Sequence, residues 1–178
     1  MINFEIRNTI STDLVRLAAI DHSVNTDYVW QVDLSRDAGQ VSVSLREIRL
    51  PRTIRIDYPR PPEELADTFH LRPMLSVMNG MEAIAYVRFT DTMVPHAVWI
   101  TDVVVGRPVR GQGIGKKLIA AAEEWGLKRN LRRSIIEVQS KNAPAIRMLQ
   151  KMGFEFCGYN DQYYTSRDVA LFFSRAIY

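Results

Sequence analysis

The chain alternates between strand-like and helix-like hydrophobic patterns along its 178 residues. Apolar side chains occupy every second position over residues 40–48, which is typical of a half-buried β-strand. They recur every third or fourth position over residues 142–152, which predicts an amphipathic helix closed by Gly153. Residues 97–105 are almost all apolar, as in a strand that is covered on both faces. The pattern therefore predicts a domain in which strands and helices are mixed.

The same periodicities place the remaining elements. We predict further strands at residues 4–7, 28–34, 74–78, 81–88, 134–139, 154–159 and 168–177, and helices at 14–21, at 63–69 and from the glycine-rich segment to about 129. Asp37-Ala38-Gly39 predicts a hairpin turn, and Asn79-Gly80 predicts a second one of type I′. Four prolines between positions 51 and 62 predict an irregular segment there.

Composition narrows the classes of function. The length predicts a single domain over residues 1–178 with a sizeable core. The net charge of +3 suits an anionic cofactor but does not supply the basic stripe of a nucleic-acid binder. Cys157 is the one cysteine and no Cys/His cluster has ligand spacing, so we expect no metal. The absence of an apolar run of ~20 residues and of a signal-peptide pattern predicts a cytoplasmic protein without a membrane partner. We expect a monomer or a homodimer.

A glycine-rich segment follows the apolar strand at 97–105 and precedes a helix pattern. It reads Arg110-Gly111-Gln112-Gly113-Ile114-Gly115-Lys116. The first amides of a helix have no intrahelical partner and lie at the positive end of its dipole, and glycine lets an anion approach them closely. The order of elements therefore predicts a pyrophosphate cradle, with a purely structural turn as the alternative. The spacing fits neither a P-loop nor the dinucleotide fingerprint.

Two blocks of sequence resemble one family. Arg110-x-x-Gly113-x-Gly115 resembles the acetyl-CoA motif Q/R-x-x-G-x-G/A of the GNAT N-acetyltransferases. Asn142-x-x-Ala145, with Gly153-Phe154 after it, is similar to the helix and turn that follow their fifth strand. The resemblance covers residues 97–159, and the upstream half is only compatible with it. It implies an α+β GNAT fold, with a mixed central sheet of about seven strands, helices on both faces and a splayed V between strands 4 and 5.

The resemblance also implies acetyl-CoA as the acyl donor. The loop amides would hold its pyrophosphate, and the main chain of the strand before the loop would pair with its pantetheine arm. Lys116 would add charge or be a solvated lysine, and Asn142 would contact the arm, cap its helix, or do both. The implied cofactor-binding residues are Val103, Val104, Val105, Arg110, Gly111, Gln112, Gly113, Ile114, Gly115, Lys116 and Asn142.

The implied activity is transfer of an acetyl group, by direct attack, to a primary amine of a small molecule such as an antibiotic, or of a peptide. A protonated amine is not a nucleophile, so a base must take its proton. Glu137 lies between apolar neighbours, which disfavour its charged form, and it matches the strand-five glutamate base of the ribosomal-protein alanine acetyltransferases. A solvent-facing Glu137 is the alternative, and Asp102 is an equal second candidate for the base.

The general acid is where the sequence departs from the family. Many members carry a tyrosine seven residues after the motif asparagine, where this chain has Leu149. Tyr159, Tyr163 and Tyr164 are candidate substitutes. We select Tyr164 because Asp102, Glu137-x-Gln139 and the segment from Tyr164 to Phe173 are similar to streptothricin acetyltransferases. The missing tyrosine also leaves open an alternative function, a catalytically weak sensor module that binds acyl-CoA.

The acceptor site should come from the first half of the chain. Tyr28, Trp30 and Glu47 could form a rim that attracts an amine through aromatic faces and negative charge, with hairpin packing as the alternative. Cys157 has no histidine near it in sequence, so we expect a buried filler residue rather than a nucleophile.

Overall fold

The protein is described by a computed structural model that covers residues 4–178. Its helices are α1 (Leu14–Ala18), α2 (Leu65–Thr68), α3 (Ile114–Leu127) and α4 (Ala143–Lys151). Its strands are β1 (Glu5–Asn8), β2 (Val24–Asp37), β3 (Gln40–Ile56), β4 (Met74–Asn79), β5 (Glu82–Thr90), β6 (Ala97–Val105), β7 (Arg133–Gln139), β8 (Glu155–Asn160) and β9 (Ala170–Ala176). Each strand and helix expected from the pattern is present. Strand β6 has the predicted ends, and the other elements differ at one or both ends.

Seven of these strands form one mixed sheet in the order β1-β4-β5-β6-β7-β9-β8. All neighbours are antiparallel except β6 and β7, which are parallel. Strands β2 and β3 form a separate antiparallel hairpin. In chain order β6 and β7 are thus the fourth and fifth strands of the sheet, and α3 connects them.

Strands β6 and β7 diverge after a short paired region. Their ladder runs from Ala97 opposite Arg133 to Ile100 opposite Ile136. Beyond that pair β6 continues to Val105 and β7 to Gln139 without further pairing between them. This confirms the splayed V between strands 4 and 5, and it leaves a gap in the middle of the sheet.

Helices cover both faces of the sheet, as expected. On one face Leu118 of α3 and Ile146 of α4 are fully buried against the sheet in one apolar cluster. On the other face Leu17 of α1 and Leu65 of α2 pack in a second cluster. The two clusters form the core on the two faces of the sheet.

A bulge in β6 changes which face its side chains reach. The pairing with β5 shifts so that Arg88 is opposite Asp102 while Phe89 is opposite Ile100. One residue, Thr101, is therefore extra, and a bulge of this kind re-aims the residues that follow it. Ile100 packs in the cluster with α3, whereas Val104 packs in the cluster with α1. The bulge places Asp102 on the α1 side.

Three expectations need correction. Strand β3 runs through Pro51 to Ile56, although prolines predicted an irregular segment. The hairpin register shifts between Thr26 and Tyr28, whose partners are Ile54 and Arg49, so Pro51 lies in the bulged stretch where a missing amide costs least.

At the second hairpin Asn79 pairs with Glu82, and of the two loop residues between them only Gly80 has positive φ, 60°. This is the pattern of a type II′ turn rather than type I′.

The third correction concerns Cys157, which is exposed on β8 rather than buried. Among the helices of residues 4–178, none is both long enough and apolar enough to cross a membrane.

Candidate active site

A cavity of about 500 Å³ fills the gap between the diverging ends of β6 and β7. Its walls come from both strands, from the glycine loop and from α4. Most of the residues selected from the sequence line it: Val103, Val104, Val105, Arg110, Gly111, Gly113, Ile114, Gly115, Lys116, Glu137, Asn142 and Tyr164. The lining does not include Gln112 or Asp102.

The glycine loop exposes backbone amides at the start of α3. Gly113 is the N-cap with φ of 80°, and its helix has no side-chain cap. The Lys117 amide donates to the Gly113 carbonyl at 3.1 Å, so the amides before it are left outside the helical ladder. Gly111 also has positive φ, 79°. No described atom lies within 4 Å of a Cβ built at Gly111 or Gly113, so an anion can reach this backbone.

Arg110 fastens the loop in place. Its guanidinium donates to the carbonyls of Val105 at 2.8 Å, Ser23 at 2.7 Å and Asp21 at 2.8 Å. Partial burial lowers the pKa of Arg110. Because its donors are used by the protein, Arg110 contributes charge near the loop and ties it to β6 and to the segment after α1.

The neighbouring residues explain why the loop and α4 sit close together. A Cβ added at Gly115 would lie 3.4 Å from the Met148 sulfur of α4. Asn142 caps α4, since its Oδ1 accepts the Ala145 amide at 3.2 Å, and it also lines the cavity. Lys116 is exposed at the cavity edge. The Val104 side chain packs on the opposite face, so this residue offers the cavity its main chain.

Glu137 lies buried on β7 and lines the cavity rather than facing solvent. Its Oε2 accepts hydrogen bonds from Trp99 Nε1 at 2.7 Å and from the Tyr163 hydroxyl at 2.9 Å. Its Oε1 pairs with the guanidinium of Arg60. The carboxylate therefore sits among polar donors, although its neighbours in sequence are apolar.

Asp102 is 2% exposed and has its acceptor sites filled by protein donors. Oδ2 accepts from Arg88 Nε at 2.8 Å and from Thr101 Oγ1 at 2.7 Å, and Oδ1 accepts from the Tyr58 hydroxyl at 2.5 Å. Burial would raise the pKa of Asp102, but Arg60 and Arg88 outweigh it and hold the pKa below its usual range. Glu137 also accepts from several donors, but Asp102, unlike Glu137, does not line the cavity, and this suits an anchor better than a base.

The two adjacent tyrosines have different surroundings. The Tyr164 side chain is 6% exposed and lines the cavity, whereas the Tyr163 hydroxyl is bonded to Glu137. Burial, reinforced by the charge of Glu137, raises the pKa of Tyr164 well above its ordinary value and that of Tyr163 to about 12. Both phenols keep their proton at neutral pH. Tyr159 is not among the lining residues, and Leu149 forms an apolar part of the wall.

The titratable residues of the cavity wall that were not selected from the sequence are His22, Tyr58 and Arg60. Burial lowers the pKa of His22. The neutral ring donates from Nδ1 to the Ile20 carbonyl at 2.5 Å and receives the Tyr86 hydroxyl at Nε2, 3.1 Å away. All three lie in connecting segments without hydrophobic periodicity, so no pattern in the sequence marks them.

The predicted acceptor rim is used to hold the hairpin. Arg147 of α4 pairs with Glu47 Oε1 at 2.7 Å and lies 4.2 Å from the Tyr28 ring centroid. The Trp30 amide donates to the Ser140 carbonyl at 2.8 Å. Among the described residues that line the cavity, none of the three predicted rim residues is present. Their contacts fit the alternative role, which is packing of the hairpin.

Comparison with known proteins agrees with this geometry. The sequence model of the Acetyltransferase (GNAT) family matches residues 43–154. A streptothricin acetyltransferase of Streptomyces lavendulae is 27% identical over 172 residues, which cover 90% of this chain and 86% of the relative. An aminoglycoside N(6')-acetyltransferase type 1 of Salmonella typhimurium is 24% identical over 103 residues, 52% of this chain and 68% of the relative.

Solved structures show the same fold. A nourseothricin acetyltransferase superposes with a TM-score of 0.83 at 24% identity, over 97% of this chain and 98% of the other. A protein of Bacillus anthracis, solved in complex with acetyl coenzyme A, gives a TM-score of 0.75 at 20% identity over 98% and 100% of the two chains. With its V-shaped gap, its glycine loop and a family match over more than half of its length, the chain belongs to the GNAT family of acetyltransferases.

Proposed function

We propose that this enzyme transfers an acetyl group from acetyl-CoA to a primary amine of a streptothricin-type antibiotic. The observation that carries the proposal is that the free amides at the start of α3 and the Glu137 carboxylate line one cavity. The choice of acceptor is supported by the Streptomyces lavendulae relative, because the similarity spans 90% of this chain. Aminoglycosides are the second candidate acceptors, because the similarity to the aminoglycoside acetyltransferase spans only 52% of this chain.

The cradle at Gly111 and Gly113 fits the pyrophosphate of acetyl-CoA. Both glycines leave open the space that a Cβ would fill, and the helix dipole favours negative charge at this end of α3. Beyond Ile100 the edge of β6 that faces β7 has no strand partner within residues 4–178, although its other edge pairs with β5. This free edge offers hydrogen-bonding groups to the pantetheine arm. When bound, acetyl-CoA supplies a thioester whose carbonyl carbon the amine can attack.

Glu137 is the proposed base. The acceptor arrives as an ammonium group, and Glu137, directly or through one water, takes a proton so that the nitrogen lone pair can form the new C–N bond. The carboxylate is already fixed by Trp99 and Tyr163, so little reorganisation is needed when the proton moves. Among the described contacts, Asp102 is connected to Glu137 only through Arg60, which contacts both carboxylates, and it does not line the cavity.

Tyr164 is the proposed acid. As the C–S bond breaks, its hydroxyl can give a proton to the leaving thiolate, and a phenol whose pKa is raised by burial is still protonated at neutral pH. Tyr164 therefore takes the role that Leu149 cannot fill. The acyl-CoA sensor is the competing function, and it predicts binding of the donor without turnover.

Release of CoA thiol tests the proposal. We expect wild-type enzyme to release thiol from acetyl-CoA with a streptothricin, and Glu137→Gln to lower kcat by 10²–10⁴-fold, the usual contribution of a general base. Glu124→Gln is the matched control, because this glutamate is exposed on the outer side of α3, and it should keep full activity. The sensor function would be supported instead if the protein bound acetyl-CoA but released no CoA thiol with any acceptor in a panel of streptothricins, aminoglycosides, polyamines and N-terminal peptides.

A further inference from the structure

Arg60 stands at the vertex where β6 and β7 separate. The last main-chain pair of the two strands is Ile100 and Ile136. Immediately beyond it, Arg60 Nη1 donates to the Thr101 carbonyl of β6 at 3.1 Å, and Nη2 donates to Glu137 of β7. One side chain thus bridges the two strands at the point where their ladder ends.

The same guanidinium touches each of the three residues selected from the sequence for catalysis. Besides Glu137, it lies 3.4 Å from Asp102 Oδ1 and 5.3 Å from the centre of the Tyr164 ring. Arg60 is held in turn, because Asp102 is anchored by Arg88 and Tyr58. Its position is therefore fixed from the β6 side, and it presents a fixed donor to β7.

The two oxygens of Glu137 are held by different groups. Trp99 and Tyr163 both donate to Oε2, whereas Arg60 is the described donor to Oε1. Without Arg60, the carboxylate could turn about its Oε2 contacts, which would change the direction in which it faces the cavity. An error of about 1 Å in such a group costs on the order of 10²-fold in rate.

We propose that Arg60 is a positioning residue that orients Glu137 toward the acceptor amine. The inference rests on the proposed function, because it assigns a role within that acetyl transfer. Lysine cannot replace Arg60, since a single ammonium group cannot donate in fork geometry to Thr101 and Glu137 together. A free guanidinium ion can, because it has the same planar donor set and Arg60 itself lines the cavity.

Steady-state kinetics of Arg60→Ala and Arg60→Lys test the role. We expect kcat to fall about 10²-fold in the alanine variant, with the KM for acetyl-CoA unchanged. Guanidinium chloride at millimolar concentration should restore at least part of the kcat of Arg60→Ala and have no such effect on Arg60→Lys. Arg52→Ala is the control, because Arg52 is exposed on β3, and its kcat should equal that of wild type.

The change in melting temperature on adding acetyl-CoA reports folding and donor binding in each variant. Low kcat with a retained shift and rescue by guanidinium supports the inference. Should Arg60→Ala not fold, a lowered kcat with a retained shift in Arg60→Lys supports it. Wild-type kcat in a folded Arg60 variant, or loss of kcat that guanidinium does not restore in a folded Arg60→Ala, overturns it. A wild-type enzyme that releases no thiol contradicts the proposed function as well.

Discussion

At the scale of single residues, the buried groups near the cavity are of two kinds: some only bind other side chains, and others line the cavity where an acceptor can reach them. Asp102 is surrounded by donors on the α1 side of the sheet and does not line the cavity. Glu137 lines it, and so does Tyr164. Side chains of the same chemical type therefore have different roles because the bulge at Thr101 turns Asp102 away from the gap.

The adjacent tyrosines offer a direct test of this division. Tyr164→Phe removes the phenol that lines the cavity. We expect kcat to fall about 10–10²-fold, at or below the lower end of the usual range of about 10²–10⁴-fold for a general acid, because a thiolate leaves readily. Tyr163→Phe removes one of the donors to Glu137 and should have a smaller effect. Thiol-release kinetics of both variants provide the measurement, and a larger loss in Tyr163→Phe would contradict the assignment of the acid.

Asp102 should make stability depend on pH. Its pKa is lowered in the folded protein, so its contribution is present above the unfolded value of 3.8 and is lost as pH falls through the folded value. Asp102→Asn breaks a buried charge pair and should cost about 3–5 kcal/mol in the free energy of unfolding at pH 7. Urea unfolding between neutral and acidic pH measures both effects. The difference between wild type and variant should shrink toward acid, and a difference independent of pH would contradict this account.

At the scale of elements, the loop and α3 make the donor site. Gly113→Val should abolish the acetyl-CoA-dependent rise in melting temperature, because a side chain strains a residue with φ of 80° and fills the space that the anion needs. Gly39→Val is the matched control. Gly39 has a similar φ of 77° with open space around it, but it lies in the hairpin turn. Equal loss of the shift in both variants would mean that backbone strain alone is responsible.

The elements also show how far the sequence reaches. Strand β6, the glycine loop and α4 with its Asn142 cap were predicted correctly. Each of these elements is specified by residues that are close together in sequence, so its local pattern is enough to identify it. Residues 51–56 were misjudged because the hairpin tolerates a proline at its bulge, whereas residues 57–60 are irregular as predicted. Nothing local distinguishes Arg60 from a solvated arginine, since its partners Asp102 and Glu137 are 42 and 77 residues away in sequence.

At the scale of the whole molecule, the central sheet is continuous where β6 and β7 pair and opens into a cavity where the two strands diverge. Apolar clusters lie on both faces of the sheet, and the cluster with α3 and α4 contains the paired residues Ile100 and Ile136. The walls of the gap carry the groups that the proposed chemistry requires. The family and its fold follow from two motifs in the right order. The identity of the acceptor does not follow from these motifs. The aromatic and acidic residues of the first half of the chain that were predicted to form the acceptor site hold the hairpin against α4 instead.

The most direct test of the central claim is mass spectrometry of a streptothricin incubated with acetyl-CoA and the enzyme. We predict a product heavier by one acetyl group, formed with an equal amount of free CoA, and formed far more slowly by Glu137→Gln. An unchanged streptothricin, alongside acetylation of another amine from the panel, would contradict the proposed acceptor. An unchanged panel in the presence of an enzyme that binds acetyl-CoA would contradict catalysis in this cavity.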